Sequence, residues 1–177
     1  MDFSLFAGLN LVLYKNQIGI CFTNQNFSLD YLAGEYLDFL GSCYKIDRNV
    51  KGILIKYIAK KLEFENALNC EIVHLSAGTK QKVGIAQSLI CLPILAILDE
   101  PFANLDHHIK IYAANLFREF YESFNVNFLI SSHNLEDLST FCTDYFFIND
   151  GKLLWSGASD DITNSDLVSF YMNLLKK

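Results

Sequence analysis

The chain has 177 residues, 51% of them hydrophobic and 14% aromatic, which excludes a disordered or low-complexity protein and allows a core of ordinary size. A net charge of −6 and a pI near 5.1 give no general attraction to nucleic acid or to an anionic membrane. The five cysteines, Cys21, Cys43, Cys70, Cys91 and Cys142, are scattered without a Cys-x-x-Cys pair, so no disulfide framework or zinc site is expected.

In chain order, Leu9 to Tyr14 and Ile18 to Phe22 read as strands around a Lys15-Asn16-Gln17 turn. From Asp30 to about Leu68 the spacing turns helical, first through Tyr31, Leu32, Tyr36, Phe39 and Leu40. Ile53, Ile55, Tyr57, Ile58 and Leu62 follow, with Gly41 and Gly52 as interruptions. A helix from Ser76 to about Ile90 carries Val83, Ala86, Leu89 and Ile90 on one face. Ile94 to Leu98 is short and wholly apolar, as a buried parallel strand should be. Asp106 can cap a helix from His107 to Phe124 with Ile109, Tyr112, Leu116 and Phe120 inward. Val126 to Ser131 reads as the next strand, and Asn134 caps a short helix ending near Cys142. Asp150-Gly151 turns a hairpin between Tyr145–Asn149 and Lys152–Trp155, and a last helix starts near Asp166. Strands alternating with helices predict an α/β fold with a mostly parallel sheet. The apolar run Leu89 to Leu98 is too short to span a bilayer and is broken by Pro93, and no targeting signal opens the chain. A cytoplasmic location is expected.

Chemistry in such a fold gathers beyond the carboxyl ends of the strands. One strand delivers Asp99 and Glu100 there, and another delivers Ser131, Ser132 and His133. A carboxylate at a strand end can hold Mg²⁺, and a second beside it can take a proton from water attacking a phosphate. Ser76-Ala77-Gly78 opens a helix whose free N–H groups and dipole favour an anion. Each feature also has an ordinary structural reading as a cap or a solvated turn, Asn104-Leu105-Asp106 included.

Order and spacing bind these pieces together. Leu75-Ser76-Ala77-Gly78-Thr79 resembles the LSGGQ signature of ATP-binding cassette (ABC) nucleotide-binding domains, and Ile94 to Leu98 followed by Asp99-Glu100-Pro101 resembles their Walker B motif. Asn104-Leu105-Asp106 is similar to the D-loop, and Ser131-Ser132-His133 to the switch-histidine motif. The ending Asp144 to Gly157 completes a resemblance that covers about residues 8 to 160.

The resemblance implies a P-loop NTPase-like sheet with an inserted helical subdomain at about 30–68, a core at about 69–157 and a C-terminal helix at 158–177. It implies an ATP-binding subunit that couples ATP binding and hydrolysis to transport, with ATP and Mg²⁺ as cofactors. Asp99 would hold the water shell of Mg²⁺, Glu100 would be the general base, and His133 would contact the γ-phosphate. Ser76, Ala77 and Gly78 would bind ATP held by an opposite subunit, and Asp106 would communicate with it. The implied partners are a transmembrane permease subunit and a second nucleotide-binding domain, with no nucleic acid. The protein would sit on the inner face of a membrane through its permease.

The resemblance has one large gap. The phosphate loop G-x-x-x-x-G-K-[ST] is missing: no lysine precedes a serine or threonine anywhere, and Gly8 is the sole glycine before Gly19. The segment carrying Walker A is expected to lie outside this sequence. The glutamine that follows the first strand in the family meets Thr23, with Gln25 as a shifted substitute. The alternative reading is a non-catalytic interaction subunit with an ABC-like fold.

Overall fold

The structure is a computed structural model that describes residues 18–23, 27, 30–162 and 166–176. The predicted strand at Leu9 to Tyr14, the turn after it, and Gln25 lie outside the described residues. The chain divides between Ser131 and Ser132 into two compact units.

The first unit is built on a parallel sheet in the order β1 (Ile18–Cys21), β2 (Leu95–Asp99), β3 (Asn127–Ser131). The register sets Cys21 beside Leu98 and Asp99 beside Ser131, so the polar ends of β2 and β3 finish level. Helix α1 (Ala33–Cys43), helix α2 (Arg48–Lys61), two short 3₁₀ turns and helix α3 (Ala77–Leu89) separate β1 from β2. Helix α4 (His107–Phe124) crosses from β2 to β3. The parallel sheet follows from the sequence pattern, because alternating helices and short apolar strands can bury both sheet faces only in this way.

Helix α3 lies flush on the sheet. Ser76 caps it by accepting from the Thr79 N–H at 3.1 Å, and Val83, Ala86, Leu89 and Ile90 are all fully buried, as predicted. A Cβ on Gly19 of β1 would come within 1.8 Å of the Ser88 carbonyl oxygen, so strand and helix touch backbone to backbone there. Helix α4 matches its predicted bounds, but Tyr112 is 41% exposed, and Ala113 and Phe117 are buried instead. Phe117 makes ring contacts with Phe102 and Phe128, at 5.9 and 4.9 Å, so the inward aromatic is Phe117 rather than Tyr112.

The helices α1 and α2 form a lobe closed by backbone bonds from Ala33 N–H to the Cys70 carbonyl and from Ile72 N–H to the Tyr31 carbonyl, both 3.0 Å. Here the large apolar residues that recur at helical spacing do not all face inward. Ala33, Leu37 and Gly41 are the buried residues of α1, while Tyr31 and Phe39 stack on each other at 6.3 Å on the outside. In α2, Ile55, Ile58 and Leu62 are buried as expected, but Ile53 is 70% exposed and Tyr57 also faces water. Neither glycine interrupts the helical stretch. Gly41 lies within α1, where a side chain would meet the aliphatic stem of buried Lys51, and Gly52 lies in the middle of α2. Lys51 is held by the Asp38 carboxylate at 2.8 Å and the Ser42 hydroxyl at 2.7 Å, and this pairing is what allows a cation between the two helices.

The second unit holds helix α5 (Leu135–Leu138), the antiparallel hairpin β4 (Asp144–Asn149) and β5 (Lys152–Ala158), and helix α6 (Leu167–Leu174). Asp150 and Gly151 both have positive φ, 48° and 74°, which is the turn that an Asp-Gly pair selects in a two-residue hairpin. Phe147 packs against Trp155, Phe170 and Tyr171, so α6 covers one face of the hairpin. Asp166 caps α6 by accepting from the Ser169 N–H at 2.7 Å.

Candidate functional site

The site begins at the carboxyl end of β2. Asp99 is exposed there, and both its carboxylate oxygens meet hydroxyl donors. Ser131 Oγ donates to Oδ1 at 2.6 Å, and Thr23 Oγ1 reaches Oδ2 at 3.4 Å while donating to the Asp99 carbonyl at 2.8 Å. The level register of β2 and β3 brings Ser131 into place, and Thr23 follows two residues after β1. A carboxylate pinned from both sides has a fixed orientation without losing its charge. Each oxygen keeps lone pairs for further donors.

Glu100 follows in a left-handed conformation with φ 48°, where a residue other than glycine or asparagine is strained by about 1–3 kcal/mol. Four hydrogen bonds hold its backbone there. Its N–H donates to the Ser131 carbonyl at 3.1 Å and the Ser131 hydroxyl at 3.2 Å. Its carbonyl accepts from Ala103 N–H at 3.1 Å and from Gln81 Nε2 at 3.4 Å. Pro101 and Phe102 after it are buried. The chain thus breaks sharply from strand into turn at Glu100, anchored by an apolar pair behind it.

The turn ends at Asn104, which has φ 60°. Its carbonyl oxygen would lie 2.6 Å from a Cβ on Gly78, so the first turn of α3 packs directly on this backbone. Gly78 therefore serves a protein contact as well as the open helix start foreseen from sequence. Ala77 and Gly78 are the first two residues of α3, and their N–H groups have no carbonyl one turn back. The Ser76 hydroxyl is engaged with the Thr79 N–H and hydroxyl, the latter at 2.9 Å. A pocket of about 110 Å³ opens beside this helix start, lined by residues that include Phe22, Phe27, Ala77, Lys80, Gln81 and Asn104.

Asp106 stands at the N-cap of α4 but makes no capping hydrogen bond with its side chain. Its carboxylate and that of Glu63 instead act on Lys82. Burial lowers the ammonium pKa of Lys82 from its ordinary value, and the two acids oppose that shift. Lys82 Nζ also donates to the Glu63 carbonyl at 3.4 Å. The first unit thus brings Ser76, Ala77, Gly78, Asp99, Glu100 and Asp106 into one stretch of surface from the β2 end to the starts of α3 and α4. His133 belongs to the second unit, exposed between Ser132 and Asn134; the Asn134 N–H donates to the Ser132 hydroxyl at 3.1 Å, and the Asn134 side chain caps α5.

Two residues of this surface escape sequence reasoning. Gln81 is 7% exposed and ties β1 to the Glu100 turn, with its Nε2 at 3.7 Å from Cys21 Sγ. A glutamine on the face opposite Val83 reads from sequence as solvated. Ser131 was foreseen at a strand end, but its three contacts to Asp99 and Glu100 depend on register, which sequence does not give. Cys21, buried beneath Asp99, has its thiol pKa pushed up to about 12 by burial and by that carboxylate, so it is an inert neighbour.

The family model described as "ABC transporter" matches residues 9–103, more than half of the chain. The chain belongs to the ABC transporter family. ABC transporter ATP-binding protein NatA of Bacillus subtilis is 30% identical over 156 residues, covering 86% of this chain and 62% of NatA. Phosphonates import ATP-binding protein PhnC of Treponema denticola is 29% identical over 172 residues, covering 90% of this chain and 66% of PhnC. The chain thus spans just under two-thirds of these relatives. A solved structure titled as the ATP binding subunit of an ABC transporter superposes with a TM-score of 0.86 over 96% of this chain and 74% of its own, at 22% identity. That match shows that the α/β fold with its parallel sheet is the ABC one.

For an ABC site, the donor set at β2 fits a magnesium ion held through water. Asp99 is one oriented carboxylate beside two hydroxyls, and Mg²⁺ is ordinarily held by one or two carboxylates, retained waters and substrate phosphates. Among the described residues no group of three His, Cys, Asp or Glu side chains forms a cage, and this mode of binding needs none.

Proposed function

We propose that this chain is an ATP-binding subunit of an ABC transporter, coupling ATP binding and hydrolysis to transport by a membrane permease partner. The observation that carries the reading is the break at Glu100: a strained acidic residue, fixed by Ser131 and Gln81, directly after a carboxylate pinned by Thr23 and Ser131. Such strain persists where the surroundings over-determine it, and it clusters at working sites. In this reading Asp99 orients the water shell of Mg²⁺, which would neutralise phosphate charge when bound. The Glu100 carboxylate accepts the proton of the attacking water. His133 bonds the γ-phosphate.

Ser76, Ala77 and Gly78 offer the start of α3 to ATP held by a second nucleotide-binding domain, where the free N–H groups and the helix dipole favour an anion. Asp106, unspent on capping, faces that same partner. No helix among the described residues is long and apolar enough to cross a membrane. The 177 residues contain no G-x-x-x-x-G-K-[ST] string, so in this reading the phosphate loop that meets the α3 start is the second domain's.

The test is ATP-dependent association with a second ABC domain that carries a phosphate loop, followed by light scattering. The proposal expects a complex with ATP that is lost in Ser76→Arg, whose bulk would fill the helix start. Association that ignores both ATP and this substitution would instead support the second reading, an interaction subunit that binds a partner without nucleotide. That reading draws on the missing phosphate loop.

A further inference from the structure

The outer face of α2 has an organisation that nucleotide chemistry does not use. Arg48, Gly52, Lys56 and Lys60 form one i, i+4 row, so the three cations stand on a single line along the helix. All three are exposed, and none forms an ion pair with another described residue. Beside that row run Val50, Ile53 and Tyr57, which are 44%, 70% and 39% exposed. A shallow depression of about 320 Å³ lies between the rows, lined by Arg48, Asn49, Gly52, Ile53 and Lys56.

Helix stability does not explain this face. Arg48 stands at the positive end of the helix dipole, Lys56 and Lys60 repel one another at i, i+4, and Gly52 weakens a helix interior. A Cβ on Gly52 would meet nothing within 4 Å, so no protein contact demands a glycine there. The opposite face is fully used, with Leu54, Ile55, Ile58, Ala59 and Leu62 in the core. The helix is thus apolar on both sides, with unpaired cations added to the outer one.

We infer that this face of α2 docks on an anionic lipid surface. Ile53 and Val50 enter the interface between headgroups and acyl chains, with Tyr57 at its edge because its hydroxyl is bonded to Glu119, while Arg48, Lys56 and Lys60 meet phosphate groups. A shallow, open face whose most exposed residue is an isoleucine suits a plane better than it suits a partner side chain. The net charge of −6 opposes binding by the chain as a whole, so the contact depends on the local row. The inference stands without nucleotide binding and does not depend on the proposed activity.

Co-sedimentation of the full chain with vesicles tests it, using phosphatidylcholine alone or with about 30% phosphatidylglycerol. The expected result is binding to the anionic vesicles only, weakened by salt, and reduced at least about tenfold in the triple variant R48E/K56E/K60E. All three positions are exposed, and circular dichroism checks that the variant folds. I53W is a second reporter, whose added emission should shift to the blue with anionic vesicles. Equal binding to both vesicle types, an unaffected triple variant, or no shift in I53W would each overturn the inference. A shift in I53W with an acidic, leucine-rich helical peptide but not with vesicles would make this a protein-docking face and sink the lipid assignment.

Discussion

Helices α2 and α3 are nearly the same length, 14 and 13 residues, and they invert the usual link between composition and burial. Helix α3 opens with the polar run Thr79-Lys80-Gln81-Lys82, yet seven of its residues are buried, Gln81 and Ser88 among them. Helix α2 is rich in isoleucine, yet leaves Ile53 and Val50 in water. The difference lies in the neighbours. Helix α3 has the sheet on one side and the lobe on another, with Gly19 and Gly78 letting two backbones close on it. Helix α2 has one neighbour side and one free side. Composition states what a helix could bury, whereas topology decides how many of its sides are covered.

Glycines break this comparison most sharply. Gly19→Ala drives a Cβ to 1.8 Å from the Ser88 carbonyl, a backbone atom that cannot yield without moving α3 off the sheet. A loss of more than about 3 kcal/mol in urea unfolding is expected, beyond the usual range for overpacking. Gly78→Ala places its Cβ 2.6 Å from the Asn104 carbonyl, at a turn with more freedom, and should cost about 1–3 kcal/mol by the same assay. Gly52→Ala on α2 meets open space and should raise stability by about 0.5–1 kcal/mol. A destabilising Gly52→Ala would mean that the outer face of α2 is covered in the free protein.

A smaller effect concerns the link between α2 and α4. Glu119 of α4 accepts from Tyr57 and from Lys61 of α2, both at 2.5 Å, and all three groups are exposed enough for water to screen them. Glu119→Gln should therefore lower stability by about 1 kcal/mol or less, read from the shift in urea midpoint. Thiol chemistry sharpens the picture at the lowest energetic cost. Cys43 and Cys70 are exposed and should alkylate within minutes near pH 8. Cys21 and Cys91 should resist until unfolding, since burial pushes their thiols up to about 12 and about 11. Mass spectrometry of the quenched protein separates the two classes.

Much of this was legible in the sequence, for a physical reason. Helix α4, the hairpin turn at Asp150-Gly151 and the caps at Ser76, Asn134 and Asp166 rest on local rules, and local rules need no knowledge of the rest of the chain. The lobe is legible as helical but not as to which face is buried, because periodicity there has two answers: Tyr31 and Phe39 recur at helical spacing as well as Ala33, Leu37 and Gly41 do. The small residues are inside because the helices of the lobe approach closely. At the site, the acidic pair and the helix start were visible as motifs. The ties that orient them were not: Thr23 and Ser131 reach Asp99 across strand register, and Gln81 reaches the Glu100 carbonyl from another element. Gly78 shows the same limit, since its glycine suggested an open anion site while the structure adds the Asn104 backbone against it.

The proposed role of Glu100 as the base of an ATPase meets its sharpest check in single-turnover ATP hydrolysis, comparing wild type with Glu100→Gln in a protein where these 177 residues are joined to a phosphate loop. A fall of about 10²–10⁴-fold in the rate is expected, with ATP binding kept, because the amide preserves the shape of the side chain but cannot take the proton. An unchanged rate with ATP still bound would contradict it and remove Glu100 from the chemistry.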